Sequence, residues 1–134
     1  VARMELVLFR VVLPPRAVVL LAPVVAQPMD SFDDRRQLVE EYLRGLSISL
    51  KEKGLEVRCE IRNLEALDES VAELRARFAC EIGNTILGRV DEGDIDFVIM
   101  ASHGVTQQSN VKWGSVTQHV LTRSKTPVLL VPMR

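Results

Sequence analysis

The stretch DIDFVIMASHGVTQQSNVKWGSVTQHVLTRSKTPVLLVP, residues 94–132, decides the fold. It opens with a near-continuous apolar run, DIDFVIMA (94–101), of the kind found in a central parallel strand covered on both faces. A polar segment with two glycines follows. Ser115 to Arg123 reads as a helix with Val116, Val120 and Leu121 inward, and TPVLLVP (126–132) reads as a last strand ended by Pro132. Strand, loop, helix, strand is the repeating unit of a parallel sheet.

The same alternation runs upstream. MELVLFRVVL (4–13) reads as a buried strand stopped by Pro14 and Pro15. The apolar but proline-interrupted segment 16–30 reads as an extended connection, lying either at a subunit contact or as a flap over the domain's own core. Ser31 to Lys53 reads as a helix, with Ser31 as cap, Asp34 in the capping-box position and Gly54 as terminator. Leu38, Val39, Tyr42, Leu43, Leu46 and Leu50 form its expected inner face. LEVRCEIR (55–62) alternates strictly, as a strand with one wet face does, and this places Cys59 in the core. Apolar residues at helical spacing from Leu64 to Val90 predict two helical pieces with a break near Gly83-Asn84. The expected class is therefore α/β, a three-layer sandwich on a mainly parallel sheet with right-handed crossovers.

Composition excludes several functions. The chain has 134 residues, 17 Lys+Arg against 18 Asp+Glu, and 47% hydrophobic residues. That is one globular domain without the basic excess of a nucleic-acid binder. No apolar run approaches the roughly 20 residues of a spanning helix, and no secretory signal is visible. Two cysteines without ligand spacing read as buried thiols in a reducing cytoplasm. No metal pattern and no catalytic residue are visible.

Ligands of parallel α/β sheets bind beyond the carboxyl ends of the strands, and the polar segment after 94–101 lies there. Gly104 and Gly114 are separated by nine residues, and Ser115 opens the helix. Glycine permits close backbone approach, and the N–H groups of Ser115, Val116 and Thr117 form the first helical turn, which attracts anions. Spacing alone leaves open a phosphate loop and a plain polar turn. It is not a P-loop, because no Gly-Lys-Ser/Thr follows the second glycine.

DFVIMASHG, nine residues, then GSVTQHVLTRSKTPVLLVP resembles the C-terminal half of the universal stress protein family. ELVLFRVV resembles that family's second strand, and the resemblance covers most of the chain. It implies an adenine nucleotide alpha hydrolase-like fold and ATP, with Mg, as a regulatory ligand in a stress response, with at most slow hydrolysis. It also implies a homodimer through the C-terminal edge strand. By the same resemblance Ala101, His103, Gly104, Gly114, Ser115, Val116 and Thr117 fall on the phosphate and ribose side, and Val11 and Met100 beside the adenine. Ala101 stands where ATP-binding members carry the first glycine. The family's first strand, ending in Pro-x-Asp, and its helix have no counterpart, so a single domain over 1–134 lacking them is expected, with an insertion at about 63–80. The alternative is a nucleotide-free dimerising module of the same fold, which the alanine and the missing aspartate favour. A hydrolase or transferase of a related fold would need a base or metal ligands, and none converge.

Overall fold

In a computed structural model the described residues are 3–14, 32–64, 71–102 and 114–132. They divide between two compact units. The first holds β1 (Glu5–Val12), α1 (Phe32–Glu52) and β2 (Glu56–Asn63). The second holds α2 (Val71–Val90), β3 (Val98–Ala101), α3 (Ser115–Arg123) and β4 (Val128–Val131). The expected connection at 16–30 and the Ser31 cap lie outside the described residues.

In the first unit β1 and β2 pair in parallel, from Glu5 opposite Glu56 to Val12 opposite Asn63, and Leu64 N–H extends the ladder to the Val12 carbonyl at 2.8 Å. Parallel pairing demands a crossover, which α1 supplies. Asp33 and Asp34 in its first turn and Lys51 in its last oppose the helix dipole. Gly54 ends it at φ +86°, with its N–H on the Lys51 carbonyl at 2.9 Å and Leu55 N–H on the Leu50 carbonyl at 3.2 Å. These two bonds make a Schellman cap, whose left-handed residue favours glycine.

The inner face of α1 is narrower than the apolar pattern predicts. Leu43 and Ser47 are buried and Val39 and Leu50 half-buried, whereas Leu38, Tyr42 and Leu46 are exposed. A two-stranded sheet offers only enough surface for one i, i+4 stripe. Cys59 is also corrected. It shares the face of Val57 and Ile61 but is exposed at the rim, its thiol 3.7 Å from the Leu43 carbonyl. Cys80, on α2, is exposed too, so neither thiol is buried.

In the second unit β3 and β4 pair in parallel, Val98 opposite Val128 and Ala101 opposite Val131. The ladder continues from Val98 N–H to the Pro127 carbonyl and from Ser102 N–H to the Val131 carbonyl, each 2.9 Å. The first of the two strands is shorter than its apolar run. Asp94 is taken by Arg89, whose guanidinium grips it through two bonds of 2.7 and 3.0 Å, so residues 91–94 form a turn instead. Gly93 in that turn has φ +96°. Cover on both faces is not found either, since Ile99, Leu129 and Val131 are exposed.

The expected break at Gly83-Asn84 is absent, and α2 runs unbroken through both. The glycine has another use. A Cβ at Gly83 would collide with His119 Cδ2, so the missing side chain is what lets α3 seat its imidazole on α2. There His119 Nε2 donates to Asn84 Oδ1 at 2.8 Å, since an amide oxygen can only accept. The core around this contact contains Phe78, Val90 and the fully enclosed Val120. Burial first, and the Arg123 charge second, hold the His119 pKa below its ordinary 6.5.

Two outcomes follow. Gly83→Ala gains helix propensity of about 1 kcal/mol but forces its methyl into the ring, so a net loss of about 1–3 kcal/mol is expected in denaturant titration. In a His119→Ala background the same substitution is expected to be neutral or stabilising. The imidazole binds its proton less readily in the folded chain than in the unfolded one. Its contribution is therefore fully present above the unfolded pKa near 6.5 and is lost as pH falls. Thermal stability is expected to fall below about pH 6.5, and His119→Gln to flatten that fall.

Candidate functional site

The candidate site is the first turn of α3, at the carboxyl end of β3. Three bonds place it. Ser102, buried just past β3, is held in the ladder by its N–H on Val131. Its carbonyl accepts the Gly114 N–H at 2.8 Å, which holds the start of α3 at the end of β3. The Thr117 hydroxyl, also buried, donates to the Ala101 carbonyl at 3.0 Å. A short turn, in which the Ser124 hydroxyl donates to the Thr126 carbonyl at 2.7 Å, then leads from α3 into β4.

Gly114 is the N-cap residue, at φ −66° and ψ 158°, and among the described residues no side chain caps the helix. That is extended backbone open to any residue, so positive φ is not what glycine supplies here; its use is the space left by the missing side chain. Gln118 N–H makes the first intrahelical bond, to the Gly114 carbonyl at 2.9 Å. The N–H groups of Ser115, Val116 and Thr117 therefore have no partner within the helix, as at any uncapped N-terminus. No acidic residue stands in this turn, while Arg123 lies in the last. α3 thus keeps a partial positive charge at its start, unlike α1 with its two aspartates.

The structure brings Ala101, Gly114, Ser115, Val116 and Thr117 together around Ser102. Ser115 is exposed, Val116 half-buried, and the Thr117 side chain turns inward, leaving its backbone N–H as the group facing the helix end. Met100 is half-buried on β3, on the opposite face from Ala101. Val11 belongs to the first unit, in β1 opposite Arg62. His103 and Gly104 lie outside the described residues. Sequence reading missed Ser102, the inward Thr117 hydroxyl and the seating role of His119. A hydroxyl residue in the first turn behind a strand end was the available signal for Thr117.

Among the described residues no group of three His, Cys, Asp or Glu is placed to hold a metal ion, and no helix is long and apolar enough to cross a membrane. Two shallow hollows run along α1, both lined by Arg36, Glu40 and Arg44, and neither includes a residue of α3.

Comparison with known proteins bears on this geometry. The model of the universal stress protein family matches residues 3–132. Universal stress protein MJ0577 of Methanocaldococcus jannaschii is 49% identical over 41 residues, which are 31% of this chain and 25% of that protein. The aligned stretch is thus about a quarter of the curated relative. A solved structure titled as a structure-based assignment of the biochemical function of hypothetical protein MJ0577 superposes with a TM-score of 0.67. It is 21% identical, covers 100% of this chain and is itself covered over 79% of its length. The two chains share an α/β fold of parallel strands and helices. With the family match running from β1 to the end of β4, the chain belongs to the universal stress protein family.

Proposed function

We propose that this chain binds an adenine nucleotide, ATP in the first instance, as a regulatory ligand. The observation that carries the reading is the first turn of α3: three N–H groups, no side-chain cap and no carboxylate, anchored at the end of β3. Such an end binds phosphate through backbone donors and the helix dipole without a lysine. Its residues fit the group expected there. Ser115 adds an exposed hydroxyl, and Gly114 leaves room for close approach. Ala101, exposed at the end of β3 beside Ser102, extends the surface toward the sugar. Magnesium would enter with the phosphates.

The reading is binding with slow or no turnover. The first turn of α3 has no acidic residue to act as general base. The nearest titratable side chain on the helix, His119, is buried against α2 and bonded to Asn84. A nucleotide would act by shifting a conformational equilibrium toward the bound form.

A second reading, a nucleotide-free dimerising module, is favoured by the exposed Ile99, Leu129 and Val131, which share one face of the β3–β4 pair. Among the described residues β4 has β3 as its one ladder partner, which suits self-association through the C-terminal strand.

Titration calorimetry with ATP separates the two. Saturable binding is expected, and Gly114→Val with Ser115→Ala is expected to weaken it at least about tenfold, or roughly 1.4 kcal/mol. Valine suits the extended backbone at position 114 and alanine the first helical position at 115, so the variant should fold. Absence of heat with ATP, alongside a concentration-dependent dimer in sedimentation, would sink the nucleotide reading in favour of the second.

A further inference from the structure

The first unit contains a pair of arginines that the nucleotide reading does not use. Side chains alternate along β1, so Leu6, Leu8, Arg10 and Val12 share one face. Their partners across the ladder are Val57, Cys59, Ile61 and Asn63. This is the face under α1, because the Cys59 thiol meets the Leu43 carbonyl and Asn63 Oδ1 accepts from Arg36 Nη1 at 3.2 Å. Arg10 therefore stands beneath the N-terminal part of α1, two residues from the carboxyl end of β1.

Arg35 comes down from that part of the helix. Its Nε is buried and has no hydrogen-bond partner. Burial, and then the charge of Arg10, make the Arg35 guanidinium less willing to carry its proton than usual. Arg10 thus lies close enough for its charge to act on Arg35, whose Nε donor is desolvated, and among the described residues neither has a carboxylate partner. The adjacent Arg36 shows the contrast, since Glu40 at 3.1 Å and Asn63 satisfy it. A buried unpaired donor next to a like charge is destabilising unless something negative completes it.

We propose that Arg10 and Arg35 together hold a phosphate-class oxyanion at the carboxyl end of β1, between the sheet and α1. Guanidinium forks match the oxygens of phosphate in paired bonds, and the exposed Arg10 gives an anion its point of entry. The place is the carboxyl end of a parallel strand, where α/β folds take ligands. The α1 terminus is not itself the source of charge, because Asp33 and Asp34 already oppose its dipole. Val11 points to the opposite face of the same sheet, so this anion is distinct from a base held there.

The test is thermal unfolding with inorganic phosphate, compared with sodium chloride at equal ionic strength. It is run in a Gly114→Val background, so that phosphate at α3 does not contribute. Phosphate is expected to raise the midpoint by about 4 °C above the chloride control. Arg10→Gln, Arg35→Gln and the double variant are each expected to lose most of that rise. Without phosphate they should be at least as stable as the parent, because a repulsion has been removed. Phosphoserine in place of inorganic phosphate distinguishes the source: a larger rise assigns a phosphomonoester, an equal one free phosphate. The proposal is overturned if chloride matches phosphate, which is screening alone, or if the double variant keeps the rise.

Discussion

The approach of His119 to Gly83 is the contact on which the second unit depends. It sets how closely α3 lies on α2, because the ring occupies the space a side chain would have filled. Once the imidazole is seated and bonded to Asn84, Val120 beside it is fully enclosed and Thr117, less than one helical turn back, faces the end of β3. The helix start that could receive phosphate is thus positioned from its inner side. Arg89 performs a comparable task at the other end of α2, gripping Asp94 so that the chain turns into β3.

Charge is distributed unequally between the two units. α1 begins with Asp33 and Asp34 and so has its dipole opposed, while α3 begins with glycine and serine and keeps its field available. A helix that only crosses between strands is stabilised by acidic residues at its start; one that must receive an anion is better without them. The arginines beneath α1 invert this pattern: positive side chains lie where the helix end has already been neutralised. Net charge near zero conceals both arrangements, since each depends on a few groups in one place.

Much of the fold was legible in the residues. β1, α1, β2 and α3 lie within a residue or two of where periodicity and Gly54 put them, because those signals act locally. The differences arise where one partner sets the outcome for another. Gly83 reads as a helix breaker until His119 is placed against it. DIDF reads as strand until Arg89 captures Asp94. Leu38, Tyr42 and Leu46 read as core until the width of a two-stranded sheet is known. The phosphate end of the candidate site was legible as a glycine-serine helix start, but Ser102 and the inward Thr117 hydroxyl were not, since both act through backbone groups of residues distant in sequence.

By itself the sequence determined the alternation of strands and helices, the parallel class and the position of the glycine-serine helix start. Each of these follows from side-chain period, capping chemistry and backbone freedom within a few residues. Only the tertiary structure decided which apolar stripe is buried, which polar side chains close the strand end, and that Arg10 stands on the sheet face under α1. Those outcomes depend on register and on the surface that one element offers another. A ladder eight pairs long and an i, i+4 stripe bring together residues that nothing in their spacing connects.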